Sequence, residues 1–173
     1  LALFREDNSW NRLISVYCKQ TCRSYFQRTL QRLMRRLAYE RRSYEVDPNR
    51  LGGRKPNTKP LRELTQLFLQ QLLRSESQFP PPVRFLCYYL RQELAMRFPS
   101  ETLPPIAAFL FLRLICPALI MPTQYGILEK EPTDESRRTL ILVAKVLQNL
   151  ANGVQFGEKE AYMLDFNDIL DEY

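Results

Sequence analysis

Histidine is absent from the 173 residues. That removes the Ser-His-Asp and Cys-His machineries, His-ligated zinc sites and any imidazole acid–base step. Glycine is scarce, at 5 residues, and this disfavours an all-β chain with many Gly-rich turns. No apolar run is long enough for a bilayer span: the most apolar stretch, Ile106 to Met121, is short and carries Arg113 and Pro117 inside it. The four cysteines, Cys18, Cys22, Cys87 and Cys116, form no C-x-x-C pair and show no disulfide-dense spacing. They read as reduced thiols of a cytosolic protein. What remains is an ordinary globular mixture, 45% hydrophobic and 25% charged, of a length that fits one domain.

The net charge of +6 is unevenly spread. Residues 1–60 hold 14 Lys/Arg against 5 Asp/Glu, and residues 61–173 hold 11 against 14. An electropositive segment attracts nucleic acid, anionic lipid or an acidic protein surface, and charge alone does not choose among them.

Helical periodicity dominates. Residues 9–43 read as one long helix, capped by Asn8 or Ser9, with Leu13, Val16, Tyr17, Phe26, Leu30, Leu33 and Leu37 as its apolar stripe. Arg28, Arg32, Arg35 and Arg36 fall on or near its other face. Gly-Gly and two X-Pro steps make 43–59 a connecting loop. Further helices are expected over about 60–76, 82–98 and 134–152, with a last one beginning near Gly157 or Glu158. Between them, residues 106–116 should form a buried central helix, broken at Pro117. The fold class is all-α, packed around that element.

Two segments do not fit a bland bundle. Arg113 is surrounded by apolar residues in Phe-Leu-Phe-Leu-Arg-Leu-Ile-Cys-Pro, and a guanidinium there must find fixed acceptors or reach the surface. Over 134–152, Lys145, Gln148 and Asn152 share one helix face with Asn149 beside them, a polar stripe that serves either as a solvated face or as a hydrogen-bonding surface for a partner loop.

The string Phe111-Leu112-Arg113 through Pro117-Ala118 to Pro122 resembles the FLR…PA…P signature of Ras GTPase-activating (RasGAP) domains. Arg138 through Asn152, followed by Phe156-Gly157-Glu158-Lys159-Glu160, looks like that family's second block, and Leu3-Phe4-Arg5 is similar to its arginine-finger loop. Tyr44-Glu-Val-Asp-Pro-Asn-Arg-Leu51, Gln78-Phe79-Pro80 and Arg97-Phe98-Pro99 look closest to the neurofibromin branch.

The resemblance implies an activator, not itself an enzyme, that completes the active site of a GTP-bound Ras-family GTPase by inserting an arginine in trans. It implies Arg5 as the finger, in a loop spanning residues 1–8, and Arg113 as the arginine that fixes this loop. Phe4, Leu112, Lys145, Gln148, Asn149, Asn152 and Lys159 would contact the GTPase. No metal or cofactor of its own is implied, since GTP and Mg²⁺ belong to the partner. It also implies that residues 1–173 are the central part of one RasGAP domain of a cytoplasmic protein, recruited to the inner face of the plasma membrane through other domains, with no role for nucleic acid. Where the family usually has a small residue and a Leu-Ala pair after the finger, this chain has Glu6-Asp7-Asn8-Ser9-Trp10. Carboxylates beside a phosphate-seeking arginine keep a second reading open, a GTPase-binding scaffold of the same fold without catalytic effect.

Overall fold

The computed structural model describes residues 8–40, 42–98 and 103–173. Eight α-helices carry the fold: α1 Ser9–Thr21, α2 Arg23–Tyr39, α3 Thr58–Arg74, α4 Pro81–Arg97, α5 Leu103–Leu110, α6 Cys116–Ile120, α7 Asp134–Asn152 and α8 Asn167–Glu172. Among the described residues there is no strand, so the all-α expectation holds. No helix among them is long and apolar enough to cross a membrane.

The expected helix over 9–43 is two helices. Asn8 caps the first, its side chain accepting from the Asn11 amide at 2.8 Å. At the junction the Thr21 hydroxyl donates to the Tyr17 carbonyl at 2.8 Å, a side-chain bond that competes with the helical ladder. The burial register also differs from the expected stripe. Ile14, Cys18 and Cys22 face inward with Phe26, Leu30, Met34 and Leu37, while Leu13, Val16 and Tyr17 are exposed. The apolar residues of α1 occupy two faces, and periodicity alone does not say which one meets a neighbour.

The stretch expected as a buried central helix is built differently. Phe109, Leu114, Ile115 and Cys116 are buried, but Ile106 to Ala108 and Leu110 to Arg113 are only half-buried. The longest buried face belongs to α7, with Leu140, Leu142, Val143, Val146 and Leu147 at 0–1% exposure. It packs against α3, α5 and α6. Pro117 causes no break. It cannot donate to the carbonyl four residues back, and the chain accommodates it by widening into a π-turn over Phe111–Ile115, where the Cys116 amide donates to the Phe111 carbonyl. The helix then runs on, with Met121 N donating to Pro117 O at 2.9 Å.

The ends of α7 follow the sequence signals. Thr133 caps the first turn, accepting from the Ser136 amide at 3.2 Å, with Asp134 and Glu135 beside the positive end of the helix dipole. At the other end Gly153 adopts φ 61°, and Val154 N donates to Asn149 O while Gly153 N donates to Leu150 O, a Schellman closure. The last element differs from expectation: Glu158–Phe166 is 3₁₀ helix, and only Asn167–Glu172 is α-helical.

The four cysteines are free thiols. Burial pushes Cys18 and Cys87 up to about 11 and Cys22 and Cys116 up to about 12, which makes them core fillers rather than reactive thiols. Because Leu147 is fully buried, Leu147→Ala should cost about 3 kcal/mol. Differential scanning calorimetry should then show a midpoint lowered by roughly 6–12 °C.

Candidate functional site

A polar edge on an otherwise sealed helix defines the site. On α7, Lys145, Gln148, Asn149 and Asn152 are half-buried, at the positions the sequence marked as one face, while the opposite side is core. A Cys116 Sγ–H to Ala144 O hydrogen bond of 3.5 Å ties the end of the π-turn to the residue preceding Lys145. That bond, with the packing of the π-turn and α5 on α7, brings the segment bearing Leu112 and Arg113 alongside the polar edge. Leu112 and Arg113 are themselves half-buried, so the guanidinium is not sunk in the core as its apolar surroundings suggested. π-turns are rare and frequent at functional sites.

The third wall is the 3₁₀ segment after α7. A kink at Glu160 (φ −131°, ψ 49°) interrupts it, and the Glu160 carboxylate accepts an ion-paired hydrogen bond from Lys145 Nζ. Burial opposes the charge on Lys145, but the Glu160 carboxylate and Tyr162 outweigh it and raise the ammonium above its ordinary value. Lys145 is therefore cationic and held in place. Lys159, the neighbour of Glu160, is exposed. Asn167 braces the approach to this segment, its side chain accepting from Phe156 N at 2.8 Å and donating to Phe156 O at 3.1 Å.

At the other end of α7, Arg138 forms a two-pronged bond to Glu45, Nε to Oε2 at 2.9 Å and Nη2 to Oε1 at 3.1 Å. Asp47 stands 3.6 Å away. Glu45 Oε1 also accepts from the amides of Val46 and Asp47 at 3.0 and 2.9 Å. Burial alone would raise the Glu45 carboxyl, yet Arg138 and these amides hold it below its ordinary value near 4.5. The clamp fastens residues 45–47 to the first turns of α7.

The expected finger residues Arg5 and Phe4 lie outside the described residues. The other named positions, Leu112, Arg113, Lys145, Gln148, Asn149, Asn152 and Lys159, fall on two adjoining elements and the segment that follows α7. Sequence reasoning gave no role to Glu160, Tyr162 or Glu45. Lys145 and Glu160 are 15 apart, and Arg138 and Glu45 are 93 apart, so no helical spacing links either pair. Among the described residues no group of three or more His, Cys, Asp or Glu is placed to hold a metal ion.

This arrangement is an open polar edge on a helical domain, with Lys145 held by Glu160 and three half-buried amide side chains beside it, rather than an enclosed pocket of acids and bases. Residues 52–152 match the family described as GTPase-activator protein for Ras-like GTPase, and the chain belongs to that family. It is 37% identical to human RAS protein activator like-3, over 99% of this chain and 17% of that protein. It is 33% identical to human Disabled homolog 2-interacting protein, over 98% of this chain and 14% of that protein. Human Ras GTPase-activating protein 1 matches at 31%, over 95% of this chain and 16% of that protein. The chain thus spans about one sixth of the length of these curated relatives.

The clamp yields a pH dependence with a definite sign. A carboxyl lowered in the folded state adds stability that is complete above its unfolded value and disappears as pH falls through its folded value. Glu45→Gln should therefore cost about 1–3 kcal/mol at neutral pH. In urea titrations the deficit should shrink as pH falls below the ordinary value near 4.5. A deficit that stayed constant down to the acid limit would show that the charge of Glu45 is not the source.

Proposed function

We propose that this chain accelerates GTP hydrolysis by a GTP-bound Ras-family GTPase, supplying an arginine to an active site that it does not itself contain. The observation that carries this reading is the meeting of α7's polar edge with the π-turn that bears Leu112 and Arg113. In such hydrolysis, charge builds on the phosphoryl oxygens, and a guanidinium placed against them stabilises the transition state selectively. Arg5 is the residue we assign to that task. Arginine suits it because its planar fork bridges two oxygens and its charge is permanent. GTP and its Mg²⁺ arrive with the GTPase, so this chain acts as a regulator of the partner's chemistry.

In this reading Arg113 positions the finger loop, as a donor to backbone acceptors from half-buried depth. Lys145, Gln148, Asn149 and Asn152 with Leu112 receive the switch regions of the GTPase, joined by Phe4 and Lys159. Glu160 fixes the head of Lys145 at the edge, and an ammonium has three donors, so those not used by Glu160 can donate to acceptors of the partner. The neurofibromin-like strings Tyr44–Leu51, Gln78–Pro80 and Arg97–Pro99 support our placement of the chain near that branch. Recruitment to the inner face of the plasma membrane, from the cytoplasm, belongs on this reading to the full-length protein.

Single-turnover GTP hydrolysis by a panel of Ras-family GTPases tests the proposal. For Ras-type GTPases as a class, the arginine is worth roughly 10³–10⁵ in rate, or about 4–7 kcal/mol of transition-state stabilisation. Arg5→Ala should retain binding to the GTP-loaded partner and lose nearly all of that acceleration, and Arg113→Ala should lose less. Equal acceleration by Arg5→Ala and wild type would remove Arg5 from the mechanism. Glu6 and Asp7, two carboxylates next to the finger, favour the second reading of a non-catalytic scaffold. Tight binding by the wild type with no acceleration would establish it.

A further inference from the structure

The basic first third of the chain has a location in the fold that the groove does not use. Helix α2 carries five arginines, Arg23, Arg28, Arg32, Arg35 and Arg36, and no Asp or Glu. All five are exposed, and the only other exposed positions on α2 among the described side chains are Ser24 and Ala38. Arg28, Arg32, Arg35 and Arg36 share one side of the helix over about 12 Å and form the stripe, whereas Arg23 lies half a turn around from Arg32 with its guanidinium against Gly126. Arg35 stands 3.6 Å from Glu129, a pair open to water on both sides. For Arg28, Arg32 and Arg36 no carboxylate lies within ion-pair distance among the described residues. Four to eight cations on one helix is the pattern that an anionic lipid surface attracts.

We propose that the arginine stripe of α2 is a docking surface for an anionic phospholipid bilayer. Three observations select this occupant. First, the stripe has no exposed large apolar side chain, whereas a protein partner needs a desolvated aromatic or aliphatic anchor at the centre of its interface. A phosphate-rich plane requires charge alone. Second, nucleic acid would require stacking aromatics or base-reading amides, and the two amides of α2 are engaged elsewhere: Gln27 donates to Gly126 O at 2.7 Å and Gln31 to Ile127 O at 2.9 Å. Third, all four cations of the stripe are arginine, whose fork pairs with phosphate oxygens two at a time.

The stripe is also separate from the groove. The last turn of α2 shares an open cavity of about 640 Å³ with the first turns of α7, including Arg138. The amides from Gln148 onward begin about 15 Å further along α7. A bilayer on α2 therefore uses none of the groove residues, and this inference does not rest on the GTPase reading. It departs from the expectation that membrane contact resides entirely in other domains.

Cosedimentation with phosphatidylcholine vesicles, against vesicles in which a quarter of the lipid is phosphatidylserine, tests it. The 173-residue chain should bind the second and not the first, more weakly as salt rises. Each arginine lost should weaken binding about fivefold, so Arg28→Gln/Arg32→Gln/Arg36→Gln should lose roughly a hundredfold. The triple lysine variant, which keeps the charge and loses the fork, should bind more weakly than wild type and more tightly than the glutamine triple. An equal-charge control, Arg74→Gln/Arg84→Gln/Arg91→Gln, changes exposed residues of α3 and α4 and should bind nearly as wild type. Equal binding to both vesicles, or a control that loses as much as the α2 triple, would overturn the assignment. So would tighter binding to duplex RNA or to polyglutamate than to phosphatidylserine at the same salt. If the glutamine triple fails to fold, as judged by circular dichroism, the single variants at Arg28, Arg32 and Arg36 each carry the fivefold test.

Discussion

A helix that must be sealed on one side and wet on the other governs the rest of this structure. Over its 19 residues α7 buries Leu140, Leu142, Val143, Val146 and Leu147 while keeping Lys145, Gln148, Asn149 and Asn152 half-open. Neighbours therefore have to approach α7 from its apolar side and stop at the polar edge. The core holds α7 by hydrophobic burial, and a handful of polar ties decide where each neighbour stops. Cys116 to Ala144 sets the π-turn, Lys145 to Glu160 sets the following segment, and Arg138 to Glu45 sets residues 45–47. Each tie uses a side chain whose partner lies on another element, so the groove takes shape only when the tertiary fold forms.

Pro117 shows how a local misfit becomes a feature. A proline within a helix removes one donor and crowds a carbonyl, which usually kinks the chain. Here the extra residue of a π-turn absorbs the conflict, and the half-buried side chains of Leu112 and Arg113 fall inside it. Arg113 thereby sits at the margin of the core rather than as a fully buried guanidinium.

Much of this was legible in the sequence. Asp134 and Glu135 at one end and Asn152-Gly153 at the other placed α7 at about 134–152, because end signals are local chemistry, while the Thr133 cap was found in the structure. The spacing of Lys145, Gln148 and Asn152 placed them on one face for the same reason. Long-range choices were not legible. Leu13, Val16 and Tyr17 fit an inward stripe as well as Ile14 and Cys18 do, and only the neighbours of α1 decide between them. The proline-induced π-turn read as a break, since sequence shows the obstruction and not its relief. Glu45 and Glu160 carry no local mark, because their partners are defined by the fold. The finger residues Arg5 and Phe4 lie outside the described residues, so their assignment rests on the sequence resemblance.

The central claim is that α7's polar edge and the π-turn receive the GTPase. Hydrogen–deuterium exchange of the chain, alone and with a Ras-family GTPase loaded with a non-hydrolysable GTP analogue, measures this directly. Exchange should slow on complex formation over residues 111–113, 145–152 and 158–160, with α2 unaffected. Slowing confined to α2 or α4, with the 145–152 stretch unchanged, would contradict it.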